Sequence, residues 1–140
     1  MLNHKSERAQ GLVEFTLIMP LFLLLIMAIV DLGMAMRAQI TVTNSSREGA
    51  RIGVTCQIND AIIEHVVENS SNFIKAENVT VVSNPCSSGA YTGNLGAPVE
   101  VKVTYNYEYI SPFGSILNFV TGGTVPDPLP LSGVTKMRME

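Results

Sequence analysis

Basic side chains are few in this chain. Nine lysines and arginines stand against twelve aspartates and glutamates, and the formal net charge is −3. A protein that binds nucleic acid presents a basic surface to the phosphates, and this composition supplies none. The sequence therefore excludes nucleic acid as a partner.

The signatures of common catalytic sites are also missing. The chain has no Gly-rich phosphate-binding loop, no GxSxG and no HExxH, and its two histidines, His4 and His65, lie on opposite sides of a long apolar segment. Asp60, Glu64 and Glu68 would share one face of a helix, but without an oxygen-rich loop we interpret them as a solvated face rather than a cation site. We therefore expect no enzymatic activity, no cofactor, no bound metal and no small-molecule substrate.

Cysteine is scarce as well. Cys56 and Cys86 are the only two, and both follow the apolar segment. A disulfide between them would close a loop of about thirty residues, stabilise a small domain by about 3 to 4 kcal/mol, and indicate an oxidising compartment outside the cytoplasm. The alternatives are two reduced thiols, or a metal site with His65 that lacks the CxxC or HxxxH spacing of zinc sites.

What the chain does contain is a long apolar run. Residues Phe15 to Val30 include sixteen positions without a charge, and the run reaches Met36 if Asp31 is accepted. A continuous helix over 15–36 would be about 33 Å long, close to the thickness of a bilayer core, so the run predicts a transmembrane helix. A buried core helix and a cleavable secretory signal are the alternatives. A domain of this size has little room to surround an all-apolar helix, and the run is longer than a usual signal core.

Two residues of this region are unusual for a membrane span. Pro20 removes one backbone hydrogen bond and predicts a helix kink that neighbouring packed helices would accommodate. A charge such as Glu14 costs about 2.5 to 3.5 kcal/mol inside a span on insertion scales, which predicts a partner for its carboxylate. The alternative is that Glu14 is interfacial and reaches the lipid headgroups.

The remainder of the chain predicts a small domain of mixed helix and strand. A helix is indicated for "NDAIIEHVVENSSNF", which begins at Asn59, by the spacing of its apolar residues. Strands are indicated for "NVTVVS", "PVEVKVTYNYEYI" and "LSGVTKMRME", where β-branched and aromatic residues alternate with polar ones. The predicted fold is α+β: a long N-terminal transmembrane helix continuing into a small domain with a three- to four-stranded antiparallel sheet packed on helices. One face of the second strand would carry Val99, Val101, Val103, Tyr105, Tyr107 and Tyr109.

Three segments of the chain, in order, resemble one bacterial family. The stretch "RAQGLVEF", followed by an apolar helix with an early proline, resembles the amino terminus of type IV pilin-like proteins, and specifically the TadE-like family of tight-adherence pilus assembly. The segment "TNSSREGARIG" resembles the "TNAAREGARYG" that follows the span in that family, and "PLPLSGVTKMRME" resembles its closing strand.

The resemblance implies roles for four residues at the amino terminus. It puts a prepilin peptidase cut between Ala9 and Gln10, at a place where the family usually has glycine before the cut. Glu14 would then be the fifth residue of the processed chain, and Phe15 the aromatic residue that follows it. The Glu14 carboxylate would pair with the new ammonium of its own or a neighbouring subunit and fix the axial register between packed helices.

The resemblance also implies the organisation and function of the whole chain. Residues 1–9 would be a leader peptide, residues 10–53 a transmembrane and exit helix, and residues 54–140 an extracytoplasmic α+β domain. We expect a minor pilin or pseudopilin-like subunit of a tight-adherence (Flp type IVb) pilus assembly and secretion system, held by one span in the bacterial cytoplasmic membrane. Its partners would be the membrane, a prepilin peptidase and other pilin-like subunits, TadF-like or Flp-type. The alternative is an uncleaved, membrane-anchored binding module of the cell envelope.

Overall fold

The structure is a computed structural model, and it describes residues 4–70, 74–86, 88, 90, 91 and 96–139. Residues 1–3 of the predicted leader, the last residues of the predicted second helix (71–73), and residues 87, 89 and 92–95 between the first two predicted strands lie outside the described residues. The elements in chain order are α1 (His4–Gly53), α2 (Asn59–Asn69), a 3-10 turn (Ala76–Asn78), β1 (Val79–Ser83), β2 (Pro98–Tyr107), α3 (Phe113–Val120) and β3 (Leu129–Arg138). The predicted α+β fold is confirmed.

The described residues belong to two compact units. The first unit comprises Met1–Met34 and Tyr109–Asp127, and the second comprises Ala35–Glu108 and Pro128–Glu140. Helix α1 contributes its amino-terminal part to the first unit and its carboxy-terminal part to the second. The domain ranges expected from the sequence stay a prediction.

The apolar half of α1 is exposed. The described part of the helix from Gln10 to Gly53 includes an eighteen-residue apolar window of which no residue is buried within the chain, and it is long and apolar enough to cross a membrane. The alternative of a buried core helix is therefore wrong for this segment. Pro20 lies inside this helix. One turn earlier, the Thr16 hydroxyl donates a hydrogen bond to the Leu12 carbonyl oxygen at 2.8 Å.

The second unit is built on a sheet that has three strands among the described residues, in the order β1-β2-β3, with both pairs antiparallel. Val81 pairs with Val101 in the first ladder, and the second ladder runs from Pro98 opposite Arg138 to Tyr107 opposite Leu129. Alternation puts one face of β2 inward, as predicted: Val99, Val101, Val103 and Tyr107 are buried.

The apolar core lies between this sheet face, α2 and the carboxy-terminal part of α1. Its buried members are Val42, Ala50, Ile62, Val66, Ile74, Val79, Val99, Val101 and Val103. Close approach is possible because glycine stands at the contacts: a Cβ on Gly53 would lie 2.5 Å from Cγ1 of Val99. The polar groups of the interface are paired, since the Ser46 and Thr135 hydroxyls lie 2.9 Å apart and the Gln39 amide donates to the Ser132 carbonyl oxygen at 3.1 Å.

The structure corrects the sequence prediction in the segment between β2 and β3. Strand β2 ends at Tyr107, three residues before the predicted end, so Tyr109 is not part of the sheet face. The segment that follows contains a helix, α3, which the sequence analysis did not predict. The β2–β3 ladder ends where Tyr107 lies opposite Leu129, and strand β2 ends with it.

Candidate functional site

The residues predicted to act in assembly lie at the amino-terminal end of α1. Ala9 and Gln10 are consecutive helical residues, and Glu14 follows Gln10 by one helical turn. The Gln10 side-chain amide donates to Oε1 of Glu14 at 3.3 Å, so these two side chains share one face of the helix.

Glu14 is surrounded by exposed apolar surface. Its neighbours Val13 and Phe15 are 65% and 62% exposed, and Glu14 itself is exposed. A carboxylate in such a position is available to a positive group brought by another molecule, and it becomes more strongly attractive when that contact excludes water.

A second acidic residue of α1, Asp31, is buried, whereas Glu14 is exposed. Asp31 is 1% exposed; its Oδ1 accepts a hydrogen bond from the backbone N–H of Ile110 at 3.0 Å, and its Oδ2 accepts one from the Ser111 hydroxyl. Ser111 in turn accepts the backbone N–H of Phe113 at 3.1 Å, at the start of α3. Asp31 thus anchors the segment that carries α3 to α1.

In the sequence, Asp31 is only a charge at the end of the apolar run, and its role as an anchor was not predicted. The signal was present in the stretch "SPFGSILNFV". A serine followed by proline is a common way to begin a helix, and the eight residues after them are mostly apolar. What the sequence did not supply was the partner, since Asp31 and Ser111 are far apart along the chain.

Pro20 lies beside α3. With Leu23, Leu24 and Met27 of α1, and Phe113 and Ile116 of α3, it lines an apolar groove within the first unit. The helix kink predicted at Pro20 stays a prediction. Phe113 and Ile116 of α3 line the groove on the side facing this proline's helix.

The two cysteines meet in the second unit. Cys56 and Cys86 are at disulfide distance and form a disulfide, with 5.0 Å between their Cα atoms. Cys56 follows the end of α1 and adopts a left-handed backbone conformation with φ of 64°, and Cys86 is fully buried. The bond joins the end of the long helix to the loop that follows β1.

Asn84 holds that loop in place beside the disulfide. Its Nδ2 donates to the Gln57 carbonyl oxygen and to Oδ1 of Asn59, both at 2.8 Å, while its Oδ1 accepts the backbone N–H of Cys86 at 2.9 Å. Two of these bonds hold the loop against the start of α2 and the third fixes the backbone of Cys86, so the cysteine is positioned by more than its covalent bond.

An ion pair with histidine lies on the surface between α1 and α2. Arg51 donates twice to Glu48, at 3.0 and 2.5 Å, and Nε2 of His65 lies 3.1 Å from Oε1 of the same carboxylate. Hydrogen bonds from Arg51 first, and then from His65, lower the pKa of Glu48 to about 2. His65 also contacts Asn69, so its neighbours are a carboxylate and an amide, and the alternative of a metal site with the cysteines is wrong.

The three acidic side chains of α2, Asp60, Glu64 and Glu68, are exposed. Asp60, Glu64 and Glu68 border an open groove together with Ile63, Val67 and Ala76. Within the described part of the chain, no group of three or more His, Cys, Asp or Glu side chains is arranged to hold a metal ion.

The geometry defines a class of protein: a long helix with an exposed apolar stretch, which suits a single membrane span, leads into a small disulfide-linked α+β unit. Residues 9–51 match the model of the TadE family, described as TadE-like protein. The resemblance predicted from the sequence is therefore confirmed for the segment that begins at Ala9 and ends at Arg51. No curated protein and no solved structure matches the chain.

Proposed function

We propose that this chain is a minor pilin-like or pseudopilin subunit of a tight-adherence (Flp type IVb) pilus assembly and secretion system. The observation that carries the proposal is the TadE-like match over residues 9–51, which begins at the residue before the predicted cut and covers the whole apolar run. The match and the exposed helix together support an association with this class of pilus system and with a membrane.

In this proposal Glu14 is an assembly residue. Cleavage before Gln10 creates an ammonium one helical turn from Glu14, on the face where the Gln10 side chain already reaches the carboxylate. A neighbouring pilin-like subunit, TadF-like or Flp-type, offers the same kind of ammonium to the exposed Glu14. Attraction in the poorly hydrated contact between two spans offsets the cost of burying the charges and fixes their axial register.

The disulfide supports a location of the second unit outside the cytoplasmic membrane. Cys56 and Cys86 lie on the same side of the span, and disulfides persist in oxidising compartments such as the periplasm. The span would then be single, with the chain after Gly53 outside. No enzymatic role, cofactor or small-molecule substrate is part of this proposal.

The test is the mass of the mature chain. The protein is isolated from membranes of its native host, once with the prepilin peptidase intact and once from a host lacking it. The proposal expects a chain that begins at Gln10 in the first case only, and two alkylated cysteines only after reduction. A chain that keeps residues 1–9 in both hosts contradicts pilin-type processing, and cysteines that alkylate without reduction contradict the external location.

One observation favours a second candidate. Alanine at position 9 stands where the family usually has glycine, and a peptidase that rejects it would leave an uncleaved, membrane-anchored binding module of the envelope. The matched variant is Ala9→Gly. A chain that is cut only as Ala9→Gly assigns the native protein to the anchor class, whereas equal cutting of both chains supports the subunit proposal.

A further inference from the structure

The segment between β2 and β3 has the composition of a membrane-contacting element. From Tyr109 to Pro126 it contains no charged residue. It belongs to the same compact unit as the apolar half of α1. Its apolar side chains face outward: Phe119 is 89% exposed and Val120 is 75% exposed, and Ile110 and Ile116 are exposed as well. Neither Phe119 nor Val120 is part of the sheet core.

Asp31 fixes where this segment meets the span. The carboxylate holds the Ile110 backbone and the Ser111 hydroxyl at the end of the uncharged run Phe15 to Val30. The two hydrogen bonds and the burial of Asp31 account for an acid at this position, because the charge is paired with donors and covered by the segment itself. This places the first residues of the segment at one boundary of the apolar stretch.

From that boundary, α3 runs beside the interior of the span. Phe113 and Ile116 line one groove with residues of α1 as far back as Pro20. Asp31 follows Pro20 by eleven positions along α1. This separation corresponds to about 16 Å of helix, which is about half the thickness of a hydrocarbon core of roughly 30 Å. The groove therefore lies within the depth of one leaflet.

We propose that α3 dips into the hydrocarbon of the membrane leaflet adjoining Asp31, where Ile116, Phe119 and Val120 contact lipid acyl chains. Helix α3 has eight residues and is about 12 Å long, so it enters one leaflet and returns without crossing the bilayer. The protein is then attached to the membrane twice, by its span and by this helical loop.

Backbone groups at the carboxy-terminal end of α3 are paired within the protein. Hydrocarbon offers no hydrogen bonds, so polar backbone groups at membrane depth need partners within the protein. At the end of α3 the Thr121 N–H donates to the Leu117 carbonyl oxygen, and the Gly123 N–H donates to the Asn118 carbonyl oxygen, both at 2.9 Å. The Thr121 hydroxyl also donates to the Leu117 carbonyl oxygen, at 2.7 Å. The turn back toward water is closed by these bonds.

Lipid, rather than a second protein, is the occupant that the observations favour. The outward side chains of α3 are apolar, and α3 lies in one compact unit with the apolar part of α1, which already has the length and composition of a lipid-embedded helix. Phe113 and Ile116 of α3 line a groove with residues of that helix, so lipid around the helix at this depth also meets α3. This inference rests on the span alone and not on the pilus role.

The experiment measures membrane depth at Phe119. The full-length chain with Phe119→Cys, its native disulfide intact, is labelled at the new thiol with a polarity-sensitive fluorophore and reconstituted into phosphatidylcholine vesicles. Quenching is then compared between iodide in the water and lipids that carry a spin label on the acyl chain. The matched controls are Leu17→Cys, which is 77% exposed on the span, and Lys102→Cys, which is exposed on β2.

We expect the label at position 119 to behave as the label at position 17 does, with strong quenching by the acyl-chain spin label and weak quenching by iodide. The label at position 102 should show the opposite preference. A label at 119 that iodide quenches as strongly as it does at 102 overturns the proposal. Protection from both quenchers that disappears when the vesicles are diluted with lipid assigns the surface to a second copy of the chain, and this also overturns it.

Discussion

Gly133 of β3 lies directly against the backbone of Val42 in α1. A Cβ placed on Gly133 would be 2.9 Å from the Val42 carbonyl oxygen and 3.0 Å from Cα of Thr43. Both contacts are to helix backbone, which does not move aside as the end of a flexible side chain does. The absence of a side chain at one strand position therefore sets how closely the carboxy-terminal part of α1 packs on the sheet.

The Gly133→Ala variant tests this contact. We expect the free energy of unfolding to fall by about 1 to 3 kcal/mol, the usual range for overpacking a core. Chemical denaturation of the full chain in detergent micelles, followed by near-ultraviolet circular dichroism, measures the change. The matched control is Ser132→Ala, because the Ser132 residue accepts its hydrogen bond from Gln39 through the backbone, which the variant keeps. Equal stability of Gly133→Ala and the native chain would contradict the close approach.

The Glu48 carboxylate predicts a loss of stability in acid. Its pKa is lowered from 4.5 to about 2 in the folded chain, chiefly by hydrogen bonds from Arg51 and then from His65. A carboxyl group with a lowered folded pKa contributes stability above its unfolded pKa, and that contribution is lost as pH falls toward the folded value. We therefore expect the thermal midpoint to fall between about pH 4.5 and about pH 2, partly because of Glu48.

The Glu48→Gln variant isolates this contribution. It should unfold at a lower temperature than the native chain at pH 6, and the difference should shrink as pH approaches 2. The control is Glu68→Gln, which removes an exposed acid from α2. If the two variants show the same dependence on pH, the Arg51 and His65 contacts do not act on Glu48 as described.

The sheet and its buried face were predictable from the sequence because alternation is a local signal. Val99, Val101 and Val103 lie at every second position of β2, and each is fully buried. The same rule failed at Tyr109, because the alternation continues in the sequence after Tyr107 while the partner strand does not. The end of a strand depends on its neighbour, which a single run of residues does not report.

The anchor at Asp31 was not predictable for a related reason. Helix α3 has only eight residues, which is too short a stretch for helical spacing to identify a helix from the sequence. The hydrogen bonds from Ile110 and Ser111 to Asp31 join residues that are distant along the chain. The pairing of Cys56 with Cys86 was easier to predict from the sequence, because two cysteines allow only one disulfide within the chain.

The disulfide predicts a large stability difference between the oxidised and reduced chain. Cys56 and Cys86 are separated by 30 residues, and a loop of this length gives about 3 to 4 kcal/mol in the chain-entropy model. Denaturation of the oxidised chain, the reduced chain and the double variant Cys56→Ala with Cys86→Ala measures it. The reduced chain and the double variant should both lose stability, and the double variant should not respond to reductant. A native chain that is equally stable with and without reductant would show that the bond adds nothing to the fold.

The last prediction concerns the charge with which the apolar run begins. Glu14 is exposed, shares a helix face with Gln10, and is not a member of the core of the second unit. Glu14→Gln keeps the size and the hydrogen-bonding oxygen of the side chain but removes the charge that an ammonium would pair with. We therefore expect Glu14→Gln to insert, to form the Cys56–Cys86 bond and to unfold like the native chain, while piliation of the native host falls.

Gln10→Ala is the matched control, because it removes the partner side chain seen in the structure and leaves the charge in place. Piliation should survive in Gln10→Ala, since the ammonium that the proposal pairs with Glu14 belongs to the backbone of residue 10. Normal piliation in Glu14→Gln would remove the register role, and an equal loss in both variants would assign the effect to the side-chain contact between residues 10 and 14 instead of to the charge.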